Sequence, residues 1–282
     1  MTENVNVYED NLAQRLDELR QGDPAYELHK MALYDALIHA HELHGAVEKP
    51  RVLDCGCGLG FLAAGISRLC SQVVAIDPSE KAIALARQEH PEVSFYAESA
   101  ELFAKKMSKL GIDPFDQVIL NMVLHSVNDS TALNILIAVR KCLVSEGTVI
   151  MLVPDKAWLM QKLIEYAQDQ GMERGPGILW VRDQLSKPEI ELPIRLRRGQ
   201  YYPTPLTVYN RKPEDYGNFL RLAGFGVRWE IYDAESERLT HSVTVPYLDM
   251  DDYTSTIELN GRRRKILMSF AFPPEVLDAP EF

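Results

Sequence analysis

The run Val52-Leu53-Asp54-Cys55-Gly56-Cys57-Gly58-Leu59-Gly60 constrains this chain more than any other stretch. An apolar segment ends on an acidic residue, and three glycines follow at alternate positions before a helical pattern opens at Phe61. Glycine lets the backbone turn sharply and approach a bound molecule closely, while a helix start offers N–H groups that no helical carbonyl claims. The run therefore reads as a strand, a tight turn and a helix, with a ligand held at the turn. A purely structural turn in another α/β protein has the same local spelling, so the rest of the chain has to decide.

The rest of the chain alternates. Arg51 to Cys55, Val73 to Asp77, Val93 to Ala97, Gln117 to Asn121 and Thr148 to Val153 read as strands, with Phe61 to Leu69, Ser79 to Glu89 and Thr131 to Leu143 as helices between them. Such alternation predicts an α/β fold, a doubly wound, Rossmann-like and mostly parallel sheet covered on both faces. Seven strands are expected. Ahead of this core, Leu12, Leu16, Leu19, Leu28, Met31, Leu33, Leu37 and Ile38 recur at helical spacing, broken by Gly22, Asp23 and Pro24. Residues 1–49 are accordingly expected to form an N-terminal helical lid or buttress, and 50–154 the cofactor-binding core.

After the fifth strand the alternation lapses. A structureless loop as long as residues 155–211 is unusual in a compact domain, so an inserted substrate cap is expected there. It begins with a helix near Trp158 to Gln168 and continues as the Pro/Gly-punctuated segment Gly175 to Asn210, in which Ile190, Leu192, Ile194 and Leu196 alternate as a half-buried strand. Residues 212–282 return to the core with a helix at Pro213 to Ala223, a stop at Gly224, and strands at Val227 to Tyr232 and Lys265 to Phe272.

Composition narrows the function classes. With 282 residues, 46% of them hydrophobic, the chain can bury one full core. No stretch approaches the roughly 20 apolar residues of a membrane span, and the acidic start Met1 to Asp10 is unlike a secretory signal, so a cytoplasmic protein without a membrane partner is expected. Cys55, Cys57, Cys70 and Cys142 lack paired metal-ligand spacing and read as reduced small residues, with no metal site. The net charge of -11 argues against a general polyanion binder, although Arg195 to Arg198 and Arg262 to Lys265 are local basic clusters.

Two further acidic positions bear on the ligand. Asp77 ends the second strand, where its carboxylate can accept from two ribose hydroxyls; Asp77-Pro78-Ser79 also has the spelling of a helix cap. Glu98 and Ser99 follow the third strand, where Glu98 can accept from an adenine amine, or where the segment is simply an acidic loop.

Taken together, the acidic residue with Gly-x-Gly-x-Gly from Asp54 to Gly60, Asp77, the Glu98-Ser99 loop, Phe115 to Asn121, Val123 to Val127 and Val144 to Thr148 resemble the class I S-adenosylmethionine-dependent methyltransferases. The resemblance covers residues 50 to 154 and 212 to 272. Tyr209 to Tyr216 with Ala223-Gly224-Phe225 is similar to the ubiquinone-pathway small-molecule methyltransferases and, less closely, to the bacterial enzymes that methylate carboxymethoxyuridine in tRNA. It implies S-adenosylmethionine as cofactor, held by Asp54, Gly56, Gly58, Gly60, Asp77, Glu98, Ser99 and Asn121, the last beside the methionyl part. In related enzymes an arginine of the N-terminal helix meets the cofactor carboxylate; His29 falls near that position, which is a departure. The alternate glycines differ from the Gly-x-Gly-x-x-Gly of dinucleotide sites, and an anionic Asp54 suits an ammonium group and repels a pyrophosphate.

Methyl transfer requires chiefly that a nucleophile be placed in line with the methyl group. If a base acts, His125 is the candidate, because it follows the fourth strand and imidazole titrates near neutral pH. The expected reaction is transfer to an oxygen or nitrogen of a small-molecule acceptor, in a cap that carries Trp158, Met160, Trp180, Tyr201, Tyr202, Tyr209, Arg195, Arg197 and Arg198. Two alternatives stand beside it: a tRNA wobble-nucleoside methyltransferase using the basic clusters, and a cofactor-binding scaffold without turnover.

Overall fold

The computed structural model describes residues 33–34, 36–38, 48–153, 156–195, 200–233, 238–244, 255–259 and 262–272. In chain order the core runs β1 (Arg51–Cys55), α1 (Phe61–Ile66), β2 (Gln72–Ile76), α2 (Glu80–Glu89), β3 (Ser94–Tyr96), α3 (Ala100–Lys106), β4 (Phe115–Asn121), α4 (Asp129–Cys142) and β5 (Leu143–Val153). It continues with α5 (Lys156–Asp169), α6 (Arg174–Gln184), β6 (Glu189–Leu192), β7 (Leu206–Tyr209), α7 (Pro213–Leu222), β8 (Gly226–Asp233), β9 (Arg238–Thr244), β10 (Ser255–Leu259) and β11 (Arg262–Phe272).

β1 to β5 form a parallel block in the order β3-β2-β1-β4-β5, with Asp54 in register between Ala75 and Ile119. The chain winds outward to β2 on one side of β1 and to β4 on the other. Ligands of doubly wound folds enter at that reversal, beyond the carboxyl ends of the strands.

Because helices cover both faces, the strands are apolar on both. Leu53, Val118, Leu120, Val149 and Met151 face one core with Phe103, Leu136, Val139 and Leu220 from α3, α4 and α7. Their neighbours Val52, Ile119, Ile150 and Leu152 face a second core with Leu62, Ile66, Ile83 and Ala86 from α1 and α2. Burying each such side chain contributes about 1.5–3 kcal/mol, so these two layers fix the frame that carries the site.

The sheet is larger than expected. Among the described residues it has nine strands, not seven: β11, β8 and β9 extend it beyond β5, and β10 pairs with the first half of β11. The two additional strands, β9 and β10, are polar antiparallel ribbons joined by backbone pairing, and backbone hydrogen bonds leave no hydrophobic period in a sequence. Two helices also escaped the periodicity. α3 occupies the supposed acidic loop, and α6 begins Arg174-Gly175-Pro176-Gly177, residues that read as a break; proline is tolerated there because N–H groups of a first turn have no helical partner.

The N-terminal segment is described only in part. The described residues 33–34 and 36–38 are helical, and Leu33, Ala36 and Leu37 are buried in the second core. Gln117 Nε2 donates to the Leu37 carbonyl at 3.2 Å, and a side chain at Gly65 would overlap the Tyr34 hydroxyl. These residues pack as a buttress, the second of the two roles expected of the segment, because their apolar side chains are buried against the sheet. The rest of residues 1–49, His29 included, lies outside the described residues.

The segment after β5 carries its own apolar cluster, in which Leu159, Leu163 and Ala167 of α5 meet Val181 of α6 and the β6–β7 hairpin through Ile190, Leu192 and Val208. No helix among the described residues is long and apolar enough to cross a membrane.

Candidate functional site

The turn after β1 is set by glycine dihedrals. Gly56, Gly58 and Gly60 have φ of 83°, 53° and 79°, a region that L side chains rarely enter. The amides of Gly56 and Cys57 both donate to the Ile76 carbonyl, at 2.8 and 3.0 Å, which folds the turn over the end of β2. A Cβ at Gly56 would overlap Val123, and one at Gly60 would come within 2.5 Å of the Phe95 ring, whereas at Gly58 it would meet open space. Two glycines are thus required by neighbouring side chains as well as by φ, and the third borders the open side of the turn.

Asp77 lies across that turn. Its Oδ2 accepts from Gly58 N at 3.0 Å and its Oδ1 from Ser79 N at 2.9 Å. Ser79, not Asp77, caps α2, accepting from Ala82 N at 3.1 Å. The cap reading of Asp77 therefore gives way to a residue that joins the glycine turn to the end of β2.

Asp54 is 1% exposed, and its Oδ2 has no hydrogen-bond partner among the described residues. Burial, helped by the charge of Asp77 and opposed by a hydrogen bond from the Ala63 backbone, raises its carboxyl to about 7. Such a group is half-protonated near neutral pH and is poised to ionise when a cation arrives. On the paired neighbour β4, Asn121 Oδ1 is likewise buried and unpartnered. Met122 follows at φ 57°, the one non-glycine at positive φ among the described residues, held by its amide on the Leu152 carbonyl at 2.9 Å. Such conformers cost about 1–3 kcal/mol and persist where the surroundings enforce them.

Glu98 and Ser99 are engaged more fully than a loop reading implied. Glu98 forms an ion pair with Lys106 of α3, and Ser99 caps α3 by accepting from Leu102 N at 3.3 Å. Both side chains border the carboxyl end of β3.

His125 sits in a short 3₁₀ turn (Leu124–Ser126), 7% exposed, with Nδ1 unpartnered among the described residues. Burial first, and then the Arg211 cation, lower its pKa to about 4. The premise of titration near neutral pH fails: the imidazole is neutral at pH 7 and a weak base, because an imidazolium there would be both desolvated and repelled.

Arg211 was not singled out by the sequence. Its side chain is 5% exposed; Nη1 donates to the Leu124 carbonyl and Nη2 to the Val127 carbonyl, both at 2.6 Å, while Nε and Nη2 reach Asp129 Oδ1 at 2.9 and 2.8 Å. The guanidinium carbon lies 4.9, 5.3 and 5.7 Å from the ring centres of Tyr209, Phe219 and Tyr216. Three aromatics within eight positions of one arginine were the available signal.

In the segment after β5, Tyr201 donates to Asp169 at 2.8 Å, Arg195 pairs with the same carboxylate at 2.9 Å, and Tyr166 stacks edge-on against Tyr201 at 4.9 Å. Arg195 is thus neutralised locally, and Arg197 and Arg198 lie outside the described residues. A cleft of about 620 Å³ opens between Asn128–Ser130, β7 and α7, but it shares no residue with the glycine turn. The orphaned acceptors mark the site better than cleft size does.

Residues 52–147 match the family model described as a methyltransferase domain. The chain is similar to a ubiquinone biosynthesis O-methyltransferase of Agrobacterium fabrum, 39% identical over 79 residues that cover 28% of this chain and 31% of that one. A protein of the same description from Alkalilimnicola ehrlichii is 32% identical over 30% of this chain and 34% of its own length. The chain spans about a third of the length of these curated relatives. In fold it is similar to a magnesium protoporphyrin IX methyltransferase from Synechocystis PCC 6803 solved with bound SAM (TM-score 0.54, 13% identity, 97% and 98% of the two chains). A S-adenosylmethionine-dependent methyltransferase from Clostridium acetobutylicum is alike as well (TM-score 0.56, 14% identity, 94% and 98%).

Proposed function

We propose, from the premise that residues 52–147 are a class I S-adenosylmethionine-dependent methyltransferase domain, that this chain transfers a methyl group to an oxygen or nitrogen of a small organic acceptor. The observation that carries the reading is the pair of buried acceptors, Asp54 Oδ2 and Asn121 Oδ1, unpartnered among the described residues, on adjacent strands beside a glycine turn. Unpartnered buried acceptors are costly in an isolated protein and call for a donor-rich ligand. The ammonium of a methionine moiety supplies three donors and a charge that draws Asp54 to its ionised form.

When bound, the cofactor supplies a methyl group made electrophilic by a cationic sulfur. Asp54 and Asn121 hold the methionyl part; Asp77, which reaches the glycine turn through Gly58 N, takes the ribose hydroxyls; Glu98 and Ser99 lie toward the adenine. Open space at Gly58 lets the backbone come close to the ligand. His125, neutral, can accept a hydrogen bond from an acceptor group but retains a proton poorly, so placement of the nucleophile accounts for most of the rate. The O-methyltransferase relatives support an oxygen acceptor of small size.

Calorimetric titration with S-adenosylmethionine and S-adenosylhomocysteine, with NAD as control, tests the reading. Saturable binding of both sulfur ligands and none of NAD is expected. Binding of NAD alone overturns it. With the ligands bound, a panel of phenols and amines is screened for methylated product; failure of every acceptor to consume the cofactor favours a scaffold.

A further inference from the structure

Asn210 and Arg211 are consecutive residues that reach in opposite directions. Asn210 ties into the segment between α6 and β6: its amide donates to the Pro188 carbonyl at 2.8 Å, and its Nδ2 donates to the carbonyls of Leu185 at 2.8 Å and Lys187 at 3.2 Å. Arg211 ties into the loop after β4 through the carbonyls of Leu124 and Val127 and the carboxylate of Asp129. The next residue caps α7, Lys212 N donating to Asp215 at 2.8 Å, so the node is tied on its third side as well.

The loop that Arg211 grips is the one that needs a grip. It begins with the strained Met122, packs Val123 against Gly56 of the glycine turn, and carries His125. Two backbone carbonyls of this loop, those of Leu124 and Val127, meet a single buried cation walled by three aromatic rings. A planar guanidinium serves several acceptors at fixed angles, which an ammonium on a flexible stem does not reproduce. Asp129 by contrast is largely exposed, so the carbonyl contacts and not the ion pair define the grip.

We propose that Arg211 is a positioning residue, which sets the loop from Met122 to Asp129 against the glycine turn and, with Asn210, makes the placement of that loop depend on the docking of the segment after β5. The inference rests on the methyltransferase reading for its meaning, since this loop borders the reacting end of the cofactor site, but its physical content is open to test without any ligand. The segment that would receive an acceptor and the loop that would face it are then mechanically one unit.

Four proteins are compared: wild type, Arg211→Lys, Arg211→Met and Asn210→Ala. Amide hydrogen exchange over Leu124 to Asp129 is measured on each without ligand, the His125 imidazole is titrated by NMR, and S-adenosylhomocysteine affinity is taken by calorimetry. Exchange in the loop is expected to rise at least about tenfold in both Arg211 variants, because lysine keeps the charge but not the fork. The His125 titration stays low in Arg211→Lys and moves toward 6.5 in Arg211→Met, where the neighbouring cation is gone. Asn210→Ala, which leaves Arg211 intact, raises exchange in the same loop by several fold. A general loss of stability would raise exchange throughout β4 and β5 as well, and would leave the two Arg211 variants alike in the His125 titration.

Wild-type loop exchange in Arg211→Lys overturns the proposal, as does an Asn210→Ala variant whose exchange rises only in residues 185–210. Should Arg211→Met not fold, Arg211→Lys and Asn210→Ala still decide. Absence of S-adenosylhomocysteine binding to the wild type is a separate result, which sinks the methyltransferase reading and leaves the loop coupling to stand or fall on exchange.

Discussion

The glycine turn after β1 and the loop after β4 face each other across Val123 and Gly56, yet they are built in different ways. The first is a product of local sequence: three glycines at positive φ, two adjacent amides on one carbonyl, and an acidic residue at the end of the next strand. The second has a strained non-glycine, a buried histidine and a short 3₁₀ turn, and is held by an arginine 87 residues away in sequence from Leu124. Local construction makes a site legible and brittle to backbone change. Construction at a distance makes it invisible in the sequence and sensitive to one remote side chain.

The sharpest way to break the contrast is at its contact point. Gly56→Val adds a branched side chain where even one carbon overlaps Val123, at a φ that a β-branched residue avoids, and is expected to cost about 3–5 kcal/mol in urea unfolding. Gly58→Ala meets no neighbour and should cost only about 1 kcal/mol, so equal losses at the two positions would show that dihedral strain alone governs the turn.

Asp54→Asn should weaken S-adenosylhomocysteine binding about 100-fold, or about 2.7 kcal/mol, by removing the charge while keeping the shape. In the wild type the same affinity should fall as pH drops below about 7, because the raised carboxyl must then lose a proton to meet the ammonium. The fold responds in the opposite sense. A carboxyl whose folded value is above its unfolded value gives its full stabilisation at low pH and loses it as pH rises through 7, so Asp54→Asn is expected to be the more stable protein at pH 8 without ligand. Binding that is indifferent to pH between 6 and 8 would remove Asp54 from the ammonium role.

His125 has the reverse sign. Its folded pKa lies below the unfolded value, so its contribution is present above 6.5 and is lost as pH falls toward 4. His125→Asn should flatten that acid limb by about 2 kcal/mol in urea melts taken from pH 7 to 4.5. An unchanged limb would mean that the histidine is less buried than its surroundings indicate. On binding, Asp77→Ala has a smaller effect than Asp54→Asn, about tenfold in S-adenosylhomocysteine affinity with the fold intact, since two backbone amides lose an acceptor but remain part-buried. Unchanged affinity there removes the ribose role.

Legibility followed the same division. The first five strands, their mostly parallel arrangement and the glycine turn were readable because a strand buried on both faces must be apolar and because φ above zero demands glycine. Asp77 was readable as a position but not as a geometry: its spacing also fitted a helix cap, and only the contacts gave that task to Ser79. His125 was readable as a residue and misread as chemistry, since imidazole takes its pKa from burial and a neighbouring cation that no local window contains. Glu98 was assigned without Lys106, which lies two turns along a helix that periodicity did not show.

What the sequence determined by itself is whatever depends on residues within one turn or one strand: the α/β frame, the positive-φ turn, and the acidic residues at strand ends. The tertiary structure alone decided the extension of the sheet to nine strands, the depression of His125 and the grip of Arg211 on the loop after β4. The reason is physical. Backbone dihedrals and strand burial are local constraints that residue type records directly, whereas desolvation, hydrogen bonds to distant carbonyls and pairing between strands depend on which parts of the chain meet after folding.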